Sequence, residues 1–461
     1  MTRRAPLLLI TALAALLAPA AVVAGRPAAT LQARIDAAPP GGEVLVAGVH
    51  RGGVVIRKPL RLVGAPGAVI DGEGRGTVVR VTAPGVVLSR LTLRRSGADL
   101  NTEDAGVLVT APQALLEDVR LEQVLFGLNL KRAHGAVVRR VAMTGMDLPL
   151  SRRGDAVRLW DSDRVTLSAV RVRRLRDILI WFSDHSVLHD AEVRESRYGV
   201  HLMYADGFRL LDSRFEANAV GGYVMYSTGV RIEGNRFLRH RGSTGVGLAL
   251  KESDGVAVRR NLLAGNQVGL YVDGTPRVET AGGEITDNVI SGNGTGLLLL
   301  ANAAGNVIAG NVFEANARHV AVTGGRTPAT VWTRGGRGNY WDDYVGLDGD
   351  GDGVGDLPYR AREWFEGLED RVLAARLLQG SLAVPALDFA ARLFPVFAPQ
   401  VVVEDPHPLT RVSLPAEMTG GRGSPTFAAV ALGLTAVGAA LLIPAGRTGR
   451  AARALHRSGR R

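Results

Sequence analysis

From about residue 41 to residue 330 the chain alternates apolar and polar positions in short runs, each broken by Gly, Asn, Asp or Ser. Alternation with period two predicts strands, and the breaking residues predict tight turns. The runs themselves recur. Asn261–Asn266 (NLLAGN), Asn288–Asn293 (NVISGN) and Asn311–Asn316 (NVFEAN) are one phrase, and Ser213–Asn218 (SRFEAN) is an earlier version of it. An apolar anchor can be followed through Leu93, Leu121, Met143, Val172, Val193, Phe215, Phe237, Leu263, Ile290 and Phe313, at intervals of 21 to 29 residues. A unit of about 22 residues is too short for a helical-hairpin repeat. It suits one coil of a right-handed parallel β-helix with three short strands per coil. A leucine-rich repeat is the competing architecture, but its Leu/Asn signature is absent. The expected fold is therefore all-β, a right-handed parallel β-helix of about eleven coils over residues 41–337. A helical C-terminal extension and a C-terminal transmembrane helix are expected to follow it.

The pattern changes at both ends. Arg3 and Arg4 precede an apolar run from Ala5 to Ala18, and Val22-Val23-Ala24 offers small residues for cleavage. Residues 1–24 thus read as a signal peptide, with a membrane anchor as the alternative. Residues 25–40 form an N-terminal cap, in which the amphipathic stretch Ala29–Ala38 predicts a helix over the first coil. Residues 338–361 are an Asp/Gly-rich closing block. Residues 362–400 turn helical, with Trp364, Phe365, Leu368, Val372, Leu373, Leu377 and Leu378 at three- and four-residue spacing, as a docking or capping segment. A linker is expected over 401–424 and a transmembrane helix over 425–446, where no charge occurs from Gly423 to Gly446. The tail 447–461 carries six arginines and is expected in the cytoplasm. The body would then lie in the periplasm, anchored to the inner membrane. The formal charge is +11, but Arg3, Arg4 and the six tail arginines account for all except +3. The excess is an address, and no nucleic-acid partner is expected.

Equivalent positions on successive coils become neighbours, so sequence register predicts columns of side chains. In VHLM (200–203), Val200 and Leu202 continue the inward pattern, which sends His201 and Met203 outward. One outward column then reads Lys131, Trp160, Trp181, Met203, Met225, Lys251, Asp273. The adjacent one reads Asn129, Arg158, Leu179, His201, Tyr223, Ala249, Tyr271. Phe182, Tyr204 and Tyr226 follow at the strand ends. The chain has no cysteine and only six methionines, so thiolate sites and disulfides are excluded. Two adjacent thioethers with an imidazole and an indole beside them suit Cu(I). Met203, Met225, His201 and Trp181 are the candidate Cu(I) ligands. Trp160, Tyr204, Tyr223, Tyr226 and Lys251 are candidate partner contacts, as are Trp364 and Phe365 of the helical segment. Two other readings stay open: the methionines as flexible contacts for a partner protein, or as core residues if the register slips by one.

Asp348, Asp350, Asp352 and Asp356 alternate with glycine and resemble a calcium loop, with the Val354 carbonyl as a further oxygen. The twelfth position is Tyr359 rather than glutamate, so the helix–loop–helix calcium motif is not matched. The alternative is a Gly/Asp-rich turn that closes the last coil.

Three features together, GNYWDDY followed by GDGDGVGDLPY (338–344, 349–359), the VHLMY and YVMYS phrases, and the repeated NxFxxN segments, resemble the NosD family of periplasmic nitrous-oxide reductase maturation proteins. The paired MYA and MYS phrases in consecutive coils carry most of the resemblance, which spans nearly all of the chain between the export signal and the anchor. It implies a pectin-lyase-like solenoid working with an ABC transporter permease of the inner membrane in assembling the copper–sulfur centre of nitrous-oxide reductase, with Cu(I) supplied by a membrane-anchored copper chaperone. It implies no catalytic residues. The C-terminal membrane segment is a departure from the family pattern. The enzymatic alternative is a polysaccharide lyase, hydrolase or epimerase acting on acidic sugars. Such chemistry needs either paired carboxylates or calcium with an Arg or Lys base; Arg158, Lys251 and Asp273 lie on the columns, but no cluster of carboxylates on neighbouring coils is legible. A purely structural scaffold is the third reading.

Overall fold

The computed structural model describes residues 29–240, 244–324, 327–363, 386 and 400–412. The expected signal peptide, most of the expected helical segment with Trp364 and Phe365, the expected membrane span and the basic tail lie outside the described residues. Among the described residues no helix is long and apolar enough to cross a membrane.

The chain winds as a right-handed parallel solenoid. A 12-stranded sheet takes one strand from each coil, from Val54–Ile56 to Arg318–Thr323. A 23-stranded sheet supplies the other walls. The solenoid therefore has about twelve turns, one more than the eleven expected. Inward positions form one continuous apolar core from Leu31 to Val403.

Polar ladders run inside the corners. The Asn235 backbone N–H donates to Asn261 Oδ1 (2.9 Å), that of Asn261 to Asn288 (2.9 Å), that of Asn288 to Asn311 (3.0 Å) and that of Asn311 to Asn339 (3.1 Å). These buried amides satisfy the backbone at each corner, where the sheets leave it unpaired. A stack of Gly199, Gly221, Gly247, Gly269 and Gly296 runs through five neighbouring strands of the 12-stranded sheet. A Cβ on any of them would collide with the carbonyl of the next coil.

Both ends are closed. The helix Leu31–Ala37 buries Leu31 and Ile35 against the first coil, with the Thr30 hydroxyl accepting from the Ala33 N–H. At the other end the Asn339 N–H donates to Asp405 (2.7 Å), so a carboxylate terminates the asparagine ladder. Trp341 stacks between Phe313 and Tyr359, with ring centroids 4.4 Å apart in each pair, and donates to Asp405 (3.1 Å). Two expectations are corrected here. Tyr359–Glu363 is a strand, so 362 does not begin a helix. Gln400–Asp405 is a strand antiparallel to it, so the stretch from 401 does not begin as a linker. Val402 and Val403 are buried and Asp405 is fully so. The run is short and its partner lies some forty residues earlier, so only tertiary pairing reveals it.

Candidate functional site

The strands Val157–Trp160, Asp177–Trp181, Tyr198–Met203, Val220–Met225 and Val246–Lys251 lie side by side in the 12-stranded sheet. Trp160 pairs with Trp181, Trp181 with Met203, Met203 with Met225, and Met225 with Lys251. Arg158, Leu179, His201, Tyr223 and Ala249 form the second column in the same register. In-register residues of neighbouring strands stand about 4.8 Å apart, which puts the two thioethers within reach of a common ion.

The two columns differ in exposure. Trp181, Met203, Met225, Tyr223, Tyr226 and Lys251 are half-buried, whereas Trp160, Phe182 and Tyr204 are exposed. The second column is not on a solvated face, contrary to expectation: Asn129, Leu179, His201 and Ala249 are all buried. Ring packing across coils explains this. His201 lies edge-on to Tyr198 (4.9 Å between centroids) and parallel to Tyr223 (5.9 Å), and these two rings cover it. Tyr198 is a site residue that the sequence reading missed.

His201 is only 9% exposed, and neither ring nitrogen has a hydrogen-bond partner. Burial pushes its pKa down to about 4, against a smaller upward pull from Asp177. The ring is therefore neutral near pH 7, the form that ligates metal. The Trp181 indole N–H is also buried without a partner. Two thioethers, a neutral imidazole and an indole, with no cysteine or carboxylate among them, are a soft donor set that fits Cu(I).

A ring ladder borders the donors. Trp160 meets Trp181 edge-on at 4.7 Å. Phe182 stacks on Tyr204 at 5.1 Å, and Tyr204 on Tyr226 at 5.2 Å. On the other side lies a charged network that the sequence reading did not find. Glu103 receives Lys131 (2.5 Å), Asn129 (2.9 Å) and Arg158. Arg158 also holds the buried Asp155 (2.7 Å), and Arg197 holds the buried Asp177 (3.1 Å from Nε). Carboxylates on neighbouring coils do meet here, but each is ion-paired. Lys251 faces Asp273 at 3.6 Å.

The remaining candidates lie apart, at the closing end. Ligand oxygens of Asp348, Asp350 and Asp352 lie within 4.8 Å of one another. Asp356 is not in that group and accepts from the Gly349 N–H (2.7 Å). Asp348 also accepts from Gly353 N (3.1 Å) and the Thr410 hydroxyl (2.9 Å). An unforeseen cluster joins His319 Nε2 to Asp342 (2.8 Å) and Asp343 (3.4 Å). Burial opposes protonation there, but the two carboxylates outweigh it and lift His319 to about 9.

A family model described as "Periplasmic copper-binding protein (NosD)" matches residues 101–346. Two relatives bear the name "Probable ABC transporter binding protein NosD" and are 31% identical to this chain. The one from Pseudomonas aeruginosa aligns over 388 residues, 80% of this chain and 88% of that protein. The one from Stutzerimonas stutzeri aligns over 406 residues, 81% and 87%. Among solved structures, the A-module of mannuronan C-5 epimerase AlgE6 from Azotobacter vinelandii is similar with a TM-score of 0.52. That match covers 65% of this chain and 92% of that one at 14% identity, a likeness that shows the fold alone.

Proposed function

Since the chain belongs to the NosD family of periplasmic copper-binding proteins, we propose that it is an accessory protein in maturation of nitrous-oxide reductase, receiving or delivering Cu(I) for its copper–sulfur centre. Copper is cargo in this reading. The observation that carries it is the in-register pair Met203–Met225 beside His201, a buried imidazole whose nitrogens have no protein partner. The thioethers provide soft, exchangeable donation, and the imidazole fixes the position of the ion. The Trp181 ring shields it from water. Methionine-dominated coordination is weak enough to release its ion, which suits transfer better than storage.

The partners follow from the same reading: the permease of an ABC transporter, the copper chaperone and nitrous-oxide reductase. Attachment to the inner membrane through residues 425–446 belongs to the proposal too. The protein acts without catalysis of its own. Glu103, Asp155 and Asp177, the carboxylates that flank the second column, are tied to Lys131, Arg158 and Arg197, so none of these three is free as a general base or nucleophile for sugar chemistry. For the loop at 348–356, convergence of Asp348, Asp350 and Asp352 supports a structural calcium site.

Anaerobic Cu(I) titration against a chromophoric competitor tests the reading. Met203→Ala/Met225→Ala should lose the tightest equivalent of copper. Unchanged stoichiometry and affinity in that variant would remove the basis of the proposal.

A further inference from the structure

The ring ladder beside the methionines has an acidic edge. Among the described residues the exposed aromatic side chains are Trp160, Phe182 and Tyr204, and all three stand on neighbouring coils of this one face. Phe182, Tyr204 and Tyr226 occupy the corner that ends each strand, with φ of 49°, 51° and 53°. Glycine adopts this left-handed conformation without cost, and bulky side chains seldom do. Three successive rings at such a corner are maintained against both backbone preference and water.

Two positions after Phe182 and Tyr204 stand Asp184 and Asp206, and Asp163 holds the equivalent place on the preceding coil. One oxygen of each accepts the backbone N–H of the coil above. Asp184 N donates to Asp163 (2.9 Å), Asp206 N to Asp184 (2.8 Å) and Thr228 N to Asp206 (2.7 Å). These bonds fix the carboxylates as a column alongside the rings. Asp163 faces His134 at 3.5 Å, whereas Asp184 and Asp206 have no ion pair among the described residues. Stacked like charges repel. Near the ladder Lys251 is engaged with Asp273 and Arg158 with Asp155, while exposed Arg164 and His185 follow Asp163 and Asp184 in the chain without an ion pair to either carboxylate. The face therefore offers apolar ring edges next to unneutralised carboxylates.

This combination restricts what fits. The stacked rings cover one another's faces, at interplanar angles of 8° and 18°, and so present edges rather than platforms for a sugar ring. An anionic bilayer would be repelled by the aspartates. We propose that the Phe182–Tyr204 edge with Asp184 and Asp206 docks a basic amphipathic segment of a partner protein, its apolar side chains on the rings and its Lys or Arg on the carboxylates. Because Met203 and Met225 adjoin the same rings, docking there brings the partner's copper donor or acceptor groups to the thioethers. The proposal rests on the copper-transfer reading for the purpose of docking, and on charge and exposure for the docking itself.

The test is titration of the full chain with a labelled peptide of about 12 residues that alternates Lys and Leu, followed by fluorescence anisotropy. A Glu/Leu peptide and phosphatidylglycerol vesicles serve as the other arms. The Lys/Leu peptide should bind, and Asp184→Asn/Asp206→Asn should weaken it about tenfold, as should raising salt to about 0.5 M. Phe182→Gly/Tyr204→Gly, which suits the corner backbone and removes the rings, should weaken it comparably. Unchanged peptide affinity in both variants would overturn the proposal, as would equal or tighter binding of the acidic peptide or the vesicles. Cu(I) affinity of the aspartate variant should equal wild type. Loss of copper binding in Met203→Ala/Met225→Ala is read separately, so failure of docking and failure of the copper reading are distinguishable.

Discussion

Replacing His201 with Phe should make the protein more stable and worse at holding copper. The ring lies between Tyr198 and Tyr223 with both nitrogens buried and unpartnered. A buried polar group without a partner costs about 1–3 kcal/mol. Phenylalanine keeps the aromatic contacts and removes that cost, although its extra volume returns part of the gain. A net stabilisation of about 1 kcal/mol at pH 7 follows. The pH profile gives a second, independent readout. The His201 pKa lies near 4 in the folded protein, against an ordinary value of 6.5. The unfolded chain therefore takes up its proton first as pH falls. Stability is fully present above pH 6.5 and is lost progressively down to about pH 4, by about 3 kcal/mol for this one group. His201→Phe should flatten that part of the acid limb. A solenoid unfolds locally, so hydrogen exchange of the Tyr198–Met203 and Val220–Met225 strands is the suitable assay. Cu(I) affinity should fall at least about tenfold in the same variant, the loss expected of one ligand. In wild type it should stay flat from pH 8 to about 5, because protons compete for the imidazole only near pH 4. A variant that is less stable, keeps its acid limb and binds copper normally would refute the assignment of His201 as an unpartnered ligand.

Two further outcomes concern the closing end. His319 is lifted to about 9 by Asp342 and Asp343, so its contribution is complete below pH 6.5 and lost as pH rises through about 9. His319→Asn should cost about 2–3 kcal/mol at pH 7 and remove the alkaline loss, read from urea unfolding followed by Trp fluorescence at pH 6 and pH 10. If calcium occupies the Asp348–Asp352 loop, chelation should lower the thermal midpoint of wild type and leave Asp348→Asn/Asp352→Asn unaffected. No shift in either protein would mean that the loop closes through its own backbone hydrogen bonds alone.

Much of the site was legible because two periods combine in a solenoid. Alternation sets which way Met203 points, and the coil repeat sets which residue lies above it, so Trp181–Met203–Met225 follows from spacing alone. Burial of His201 was not legible, because it depends on Tyr198 and Tyr223 folding over it from the same coil and the next. The charged network was missed for a different reason. Glu103 reaches Arg158 across 55 residues from a loop outside the repeat. Asp155 and Asp177 did leave a signal: they stand 22 residues apart, close to one coil interval, at or just ahead of the start of two site-bearing strands. The strand at Gln400–Asp405 gave none, since its only cue is a run of three valines whose partner is distant in the chain.

The same scaffold thus holds its groups in opposed states, and this bears on copper transfer. Asp155 and Asp177 are buried beside guanidinium groups and so cannot serve as hard ligands without breaking ion pairs. His201, about one coil away, is buried without a counter-charge and stays neutral and unbonded. Hard ions such as calcium or magnesium need oxygen donors, and the site withholds them. Soft ions need only the thioethers and the imidazole. In the proposed copper role, selectivity would come from which donors are already committed, rather than from a closed cage. Exchange stays open because Met203 and Met225 are half-buried at the edge of the ring ladder. In the proposed copper-transfer role, donors fixed on a rigid sheet, yet open on one side, would allow an incoming partner to replace them one at a time, so that cargo would pass without release into solvent.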